Sequence, residues 1–349
     1  MAKKVYVGLS GGVDSSVTAA LLKQQGYDVT GVYMKNWSED LPGYPCPWKQ
    51  DYQDAKRVAV QLNIPFKMYD FQTEYRHKVV NYMTREYQAG RTPNPDIMCN
   101  QEVKFKLFLE TALEDGADMI ATGHYARTKS GQLFTAKNAD KDQTYFLYRI
   151  SESALQNTLL PIGEFKTKAE VRALAKKFGL VTATKKDSQG ICFVGQVGIK
   201  EFLQHELGSQ KAGDIMDQHR KVIGQHEGAI FYTIGQRHGL NVGGGFPYYV
   251  TGKNVKKNEV YVTTDLNDKN LWATKLKLTD VHWINSKPSF QEFPLEIRTR
   301  HGAPLIAAKI ETKANTLLVK LQDEVRAATP GQSAVIYDGD HVLGGGVIS

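Results

Sequence analysis

Ser10-Gly11-Gly12-Val13-Asp14-Ser15-Ser16 follows the apolar run Val5, Tyr6, Val7 and Leu9 and precedes Thr18, Ala19, Leu21 and Leu22, which stand at helical spacing. A nearly continuous apolar run suits a parallel strand buried on both faces, so the glycines fall at a strand-to-helix turn. Two residues without side chains let backbone amides close on an anion there. Asp14, Ser15 and Ser16 supply capping groups at a helix start, where the dipole favours phosphate. The stretch reads as a phosphate cradle opening an α/β unit.

Two familiar cradles are excluded. A Walker loop needs Lys-Ser or Lys-Thr after its second glycine, and a dinucleotide fingerprint needs Gly-x-Gly-x-x-Gly; the stretch has neither. It resembles instead the Ser-Gly-Gly-x-Asp-Ser loop of the ATP pyrophosphatases, which split ATP between its α and β phosphates and adenylate a substrate. Elsewhere, Gly-Gly beside serines is usually a flexible turn; its place after the first strand favours the functional reading.

At 349 residues the chain exceeds one ordinary domain and can bury two or three cores. Lys and Arg number 44 against 37 Asp and Glu, a formal charge of +7 that suits a polyanionic partner. No stretch reaches the roughly 18 apolar residues of a membrane span. Met1-Ala2-Lys3-Lys4 leads straight into the first strand, so neither signal sequence nor membrane association is expected and the reading is cytoplasmic. Three cysteines, Cys46, Cys99 and Cys192, are too few and scattered for a disulfide framework or a four-ligand zinc site. No metal site is expected; the cysteines point to thiol chemistry.

The first half alternates strands and helices. Asp28 to Met34 reads as a second strand whose end lines a ligand crevice, where Met34 has a sulfur able to pack on adenine, although a strand-ending methionine is more often core. A proline-rich loop from Ser38 to Lys49 contains Cys46. Helical spacing at Ala55 to Leu62, a strand at Phe66 to Asp70 and a helix from Glu74 to Gly90 complete a pattern that implies a doubly wound parallel sheet.

Arg91-Thr92-Pro93-Asn94-Pro95-Asp96-Ile97-Met98-Cys99-Asn100 comes next, with two prolines stiffening the approach. Helical spacing over Val103 to Leu113 places Cys99 just before a helix start, which favours a thiolate; an isolated cysteine is more often a buried structural one. Asp96 stands where it could move a proton, and capping is its ordinary role. A strand at Asp118 to Ala121 runs into Thr122-Gly123-His124-Tyr125-Ala126, where Gly123 permits close backbone approach to a nucleotide and His124 is read as a hydrogen-bonded structural histidine. Lys141-Asp142-Gln143 forms a polar surface loop before Tyr145, Phe146 and Tyr148. Thr167 to Glu170 is a capping box opening a helix that ends near Gly179, within a basic span from Lys166 to Lys186 that is either a solvated face or a phosphate-tracking surface. Asp187-Ser188-Gln189-Gly190-Ile191-Cys192-Phe193 sets the third cysteine beside lysines.

Taken together, Ser-Gly-Gly-Val-Asp-Ser, Thr-Pro-Asn-Pro-Asp-x-x-Cys-Asn, Ala-Thr-Gly-His-Tyr-Ala and Asp-Ser-Gln-Gly-Ile-Cys-Phe make the chain similar to the tRNA-specific 2-thiouridylase family, in order and over most of its length. The resemblance implies a multi-domain α/β plus β protein. An amino-terminal, adenine nucleotide alpha hydrolase-like domain (1–205) would be followed by a small mostly β domain presenting tRNA (206–269) and a carboxy-terminal β-barrel (270–349). It implies ATP-dependent 2-thiolation of the wobble uridine (U34) in glutamate, glutamine and lysine tRNAs. ATP with Mg2+ would be a substrate, no tightly bound cofactor is implied, and a persulfide donor such as a cysteine desulfurase or sulfur-relay protein would be a partner. By match, Gly8, Leu9, Ser10, Gly11, Gly12, Val13, Asp14, Ser15, Met34 and Gly123 would hold ATP. Asn94, Pro95 and Asp96 would meet the target base, with Asp96 a candidate acid or base. Lys141, Asp142, Gln143, Arg300 and His301 would contact tRNA; the family tends to carry an aromatic residue where His301 stands.

The implied catalytic pair is Cys99 and Cys192. A uridine C2 oxygen leaves poorly until adenylated, which explains the ATP loop. Either a Cys192 persulfide delivers sulfur and Cys99 releases it by forming a Cys99-Cys192 disulfide, or Cys99 displaces AMP first and hydrosulfide attacks. An anticodon loop is already single-stranded, which largely spares the cost of extruding the base. Other enzymes with this loop, a 4-thiouridine synthase or an amidotransferase-linked synthetase, do not explain both cysteine motifs. A non-catalytic RNA-binding protein with a cysteine redox switch is the alternative of another class.

After a helix at Ile199 to Leu207 the texture changes. Glycines and short alternating runs, including Phe231 to Arg237, a hairpin around Lys253 to Lys257, and the buried-looking Leu276-Leu278 and Leu317-Val319-Leu321, predict two β domains ending at Gly344-Gly345-Gly346. Arg298, Arg300 and His301 give the last of them a basic edge.

Overall fold

The computed structural model describes residues 2–186, 198–243, 245–290 and 295–349. Strands β1 (Lys4–Gly8), β2 (Asp28–Lys35), β3 (Phe66–Asp70) and β4 (Met119–Ala121) form where the apolar runs predict them. The two-residue β7 (Thr158–Leu159) completes a parallel sheet of order β3-β2-β1-β4-β7. Helices α1 (Val13–Gln24), α2 (Trp48–Gln61), α3 (72–88) and α4 (95–114) cover it. This is the doubly wound sheet expected. Chain order reverses between β1 and β4, and a crevice opens outside strand ends at such a point.

Helix α4 begins earlier than its apolar spacing suggests. Pro95 occupies the first helical position, where a missing N–H costs nothing, and Asn94 Oδ1 caps the helix by accepting from the Asp96 N–H at 3.2 Å. Cys99 therefore lies in the second turn rather than before the helix. Its turn is also unusual: Cys99–Leu107 winds with wide i to i+5 hydrogen bonds, as does Arg76–Val80 of α3, and Lys78 and Glu102 join the two segments at 2.9 Å. Such widened turns accumulate at functional sites.

A hairpin of β5 (Ala126–Lys129) and β6 (Gln132–Thr135), short α5 (Glu152–Gln156), α6 (Lys168–Lys177) and α7 (Ile199–Leu207) complete the first half. The central domain pairs β8 (Gly213–Met216), β9 (Val222–His226), β10 (Tyr249–Asn254) and β11 (Glu259–Thr263) in the order β10-β11-β8-β9. The last domain winds β12 (Trp272–Trp283), β13 (Leu295–Arg298), β14 (Ile306–Lys313), β15 (Thr316–Arg326), β16 (Ser333–Asp338) and β17 (His341–Ile348) into a six-stranded barrel closed by β12 against β17. Leu276, Leu278, Leu317, Val319 and Leu321 fill it, as their alternation requires. The β5-β6 hairpin also adds onto β17, so the first domain extends the barrel's own sheet.

In the central domain Lys253 reaches under the Phe231–Arg237 segment and donates from Nζ to Tyr232 O at 2.6 Å and Ile230 O at 3.3 Å. Burial lowers its pKa from 10.5 to about 8. The unfolded chain therefore binds more protons between those values, so stability rises with pH across that interval and is unaffected by this residue's titration below it. Urea unfolding near pH 7 and again near pH 9.5 checks this: the stability of the wild type relative to Lys253→Met should grow with pH, and an unchanged difference contradicts the assignment.

Candidate active site

The cradle forms where β1 ends. Leu9 donates its N–H to Val32 O at 2.8 Å, which keeps the chain parallel to β2 for one more residue. Gly11 then turns with φ +75°, and a Cβ on it would lie 2.4 Å from the Asp51 carbonyl oxygen. Gly12 is the N-cap of α1, Ser16 donates its hydroxyl to Gly12 O at 2.7 Å, and the Ser10 N–H donates to Ser15 Oγ at 3.2 Å. Val13 and Ser15 are buried and Ser10 is exposed, so the loop offers one wet face.

Gly123 closes the other side. A Cβ there would sit 2.6 Å from Ser15 N, so β4 and the first turn of α1 touch backbone to backbone. Gly8 and Met34 also meet: a Cβ on Gly8 would lie 2.8 Å from Met34 Cε, and Met34 is half-buried beside it. Of the ten residues expected around ATP, Gly8, Met34, Gly123 and the Ser10–Ser15 loop thus stand together at the strand ends, while the Leu9 and Val13 side chains lie in the core.

Charge at these strand ends comes from Asp14 of the loop and from lysines that were not singled out as ligands. Asp14 accepts from Lys168 Nζ at 2.8 Å on both carboxylate oxygens and from the Tyr125 hydroxyl at 3.0 Å. Lys168 opens α6, which Thr167 caps by accepting from the Glu170 N–H, so the N-termini of α1 and α6 converge on the loop. Lys185 donates to Asp51 at 2.8 Å and Asp54 at 2.7 Å; burial opposes its charge, but these hydrogen bonds raise its pKa. The only sequence signal for these residues is the basic span from Lys166 to Lys186. That span is no uniform solvated face, since Arg172 donates to Ala183 O and Lys185 O at 3.0 Å.

Helix α4 carries Cys99 toward the same strand ends. Phe105 packs on His124 with ring centroids 5.4 Å apart, and Phe108 lies beside Gly8 and Tyr69. Cys99 is buried; Asn94, Pro95 and Asp96 are half-exposed in the first turn. Burial holds the His124 imidazole well below the usual histidine range, with Lys104 adding to the effect, and Thr122 Oγ1 lies 2.8 Å from its Nδ1. Burial likewise pushes the Cys46 thiol up, and its N–H donates to Asp40 at 2.8 Å. Cys192, with the rest of 187–197, lies outside the described residues.

The five residues read as tRNA contacts divide. Lys141, Arg300 and His301 are exposed, and His301 packs on Phe146 at 4.6 Å, whose carbonyl accepts from Asn100 at 3.0 Å. This joins the barrel's turn to the Cys99 helix. Asp142, expected on a surface loop, is buried: it accepts from the Ala136 N–H at 2.9 Å, Thr144 at 2.7 Å and Arg298 at 3.3 Å. A short polar run before aromatics carries no mark of this, because the charged partner, Arg298, comes from the last domain. Gln143 is pinned as well, its Oε1 accepting from the Tyr125 N–H at 2.9 Å. Arg298 therefore faces inward rather than lining a basic edge.

No group of three or more potential metal-ligating side chains occurs among the described residues. No helix among them is long and apolar enough to cross a membrane.

The glycine geometry gives a direct test. Gly11→Ala combines left-handed strain with a backbone clash and should cost about 2 kcal/mol at the loop, weakening ATP binding by calorimetry at least tenfold. Gly12→Ala is the control, because its Cβ meets only Ser10 Oγ at 3.3 Å. Equal ATP affinities in the two variants would rule this loop geometry out.

Residues 3–196 match the family model described as tRNA methyl transferase HUP domain, 200–264 the tRNA methyl transferase PRC-barrel domain and 273–348 the aminomethyltransferase beta-barrel domain. The chain is similar to the protein named tRNA-specific 2-thiouridylase MnmA in Geobacillus thermodenitrificans, at 46% identity over 99% of this chain and 94% of that one. It is also similar to those of Streptococcus sanguinis, at 46%, and Enterococcus faecalis, at 44%, each over 99% of this chain and 95% of the other. With three family models matched in order from residue 3 to residue 348 and relatives 44–46% identical over 99% of its length, the chain belongs to the tRNA-specific 2-thiouridylase family.

Proposed function

We propose that this protein is a sulfurtransferase that replaces the C2 oxygen of a tRNA wobble uridine by sulfur, with ATP consumed to adenylate that oxygen. The observation that carries the reading is the convergence of the phosphate cradle and the Cys99 helix on the same strand ends, through Phe105 on His124 and Phe108 beside Gly8. Cys99 stands six and nine residues before these two contacts on the same helix, so the helix that packs on the strand ends also carries the thiol.

In this reading the amides around Gly11 and Gly12 and the α1 N-terminus hold the phosphates, and Met34 and Gly123 flank the nucleotide. The uridine C2 oxygen attacks the α-phosphorus, and pyrophosphate leaves. Lys168 transfers its hydrogen bonds from Asp14 to the phosphate oxygens, which offsets the negative charge gathering on the leaving group. Asp14, once released, is the carboxylate available to Mg2+, which supplies further charge neutralisation when bound. A persulfide sulfur on Cys192 then replaces AMP at C2, and Cys99 attacks the remaining sulfur of Cys192 to give the Cys99-Cys192 disulfide. In the hydrosulfide route Cys99 displaces AMP first to form a covalent bond to C2, and hydrosulfide supplied as such then attacks C2 and expels the Cys99 thiolate, with no change of oxidation state and no Cys99-Cys192 disulfide. Asn94, Pro95 and Asp96 meet the base, with Asp96 exchanging a proton. Lys141, Arg300 and His301 meet the anticodon stem-loop of glutamate, glutamine or lysine tRNA. The sulfur comes from a persulfide donor such as a cysteine desulfurase or a relay protein.

Incubation with ATP, magnesium, a persulfide donor and unmodified glutamate tRNA, followed by nucleoside mass spectrometry, should yield 2-thiouridine. Binding of tRNA without that product, in the reduced protein, would sink the proposal. Cys99→Ser and Cys192→Ser should each lose persulfide-driven transfer and keep ATP binding; full activity in either removes that cysteine from the reaction. Lys168→Met should slow pyrophosphate release at least about a hundredfold, the order seen when one charge-stabilising donor is removed, while tRNA affinity stays unchanged. A normal rate would show that its pairing with Asp14 is only structural.

A further inference from the structure

The segment leading into the Cys99 helix is held from the other two domains as well as from its own, where Arg91 donates its N–H to Glu86 O at 2.9 Å. Thr92 donates its N–H to Pro330 O at 2.9 Å, and Gln332 Nε2 donates to Thr92 O at 2.8 Å and to Pro93 O at 3.4 Å. Thr92 Oγ1 lies 3.1 Å from Thr233 Oγ1 of the central domain. Gly331 has φ +95°, and a Cβ on it would stand 2.8 Å from Thr92 N, so the barrel's turn meets this backbone with no side chain between. That turn is anchored in turn: Gly331 N–H donates to Ile348 O at 2.9 Å, Tyr145 donates its hydroxyl to Ser333 O at 2.9 Å, and Tyr148 Oη lies 3.0 Å from Ser333 Oγ.

Pro93 and Pro95 have no N–H to offer and fixed φ, so little between Thr92 and the helix start can absorb a displacement. A shift at Thr92 therefore moves Asn94, its cap on Asp96 and the first turns that carry Cys99. Gln332 is half-buried, and its amide is the side-chain donor that grips both carbonyls.

We propose that Gln332 is a positioning residue for the reaction: from the last domain it sets where the base-binding turn and Cys99 stand, without touching either substrate. This rests on the function proposed above. It also means that the barrel's docking against Thr92 is a condition for catalysis and not only for holding tRNA.

Gln332→Met keeps the side chain's length and removes the donor; Gln332→Lys restores a donor, in the way Lys253 serves two carbonyls elsewhere in this chain. At saturating tRNA and ATP, the Met variant should lower the single-turnover rate of 2-thiouridine formation about tenfold, the effect of losing one well-made hydrogen bond, with tRNA affinity unchanged and the melting temperature lowered by no more than a few degrees. The Lys variant should recover most of that loss. Peptide-resolved alkylation of Cys99 reads the helix without the reaction, and should quicken in the Met variant and return toward wild type in the Lys variant. If the wild type makes no 2-thiouridine while alkylation responds as stated, the function fails and the positioning stands. If the wild type is active and the Met variant matches it in rate and alkylation, or the Lys variant is no better than the Met variant, the positioning role is overturned.

Discussion

The structure depends on two places where backbone must touch backbone. At Gly123 the end of β4 lies against the Ser15 amide, and at Gly11 the loop lies against the Asp51 carbonyl. Any side chain at either point would push α1 away from the strand ends and turn its amides off the crevice. With both contacts made, the positive end of α1 faces the point where the sheet changes direction, which is where open α/β sheets bind ligands. Asp14 is then carried to Lys168 and Tyr125, and the N-terminus of α6 joins that of α1.

From Tyr125 the same order spreads outward. Its N–H fixes Gln143, the neighbouring Asp142 takes Arg298 from the barrel, and Phe146 takes His301 on one side and Asn100 of the Cys99 helix on the other. The nucleotide loop, the cysteine helix and the barrel's turn are therefore successive stations of one packed network. The domains that follow one another along the chain do not stay apart in space: the β5-β6 hairpin extends the barrel sheet, and Thr92 is shared by all three. A polar run such as Lys141 to Gln143 consequently has two of its three side chains turned to structural use.

Regular structure was legible wherever local pattern and burial agree. The first four strands and the α7 span appear where periodicity places them, because a buried strand needs a continuous apolar run and a half-buried helix an apolar face. The α4 start was misplaced because its first turn has a cap and a proline rather than apolar spacing, so a rule for faces does not see it. The two-residue β7 and the β5-β6 hairpin are too short to carry a pattern, and partner strands hold them. The loop was legible as a strand-to-helix turn, since Gly11 takes φ +75°, whereas the contacts that also demand glycine, Gly11 on Asp51 and Gly123 on Ser15, join distant parts of the chain and leave no local mark. Lys168, Tyr125, Lys185 and Gln332 were not, since each acts on a residue more than a hundred positions away.

The sequence by itself determined the class of sheet, the glycine turn between β1 and α1 and the cysteine motifs, because these follow from short-range sterics, backbone preferences and residue chemistry. Only the tertiary structure decided which charges meet at the cradle, that Asp142 is buried and that the last domain grips the approach to Cys99. Those are long-range pairings, set by how buried polar groups find partners when three cores pack together, and no local spacing encodes them.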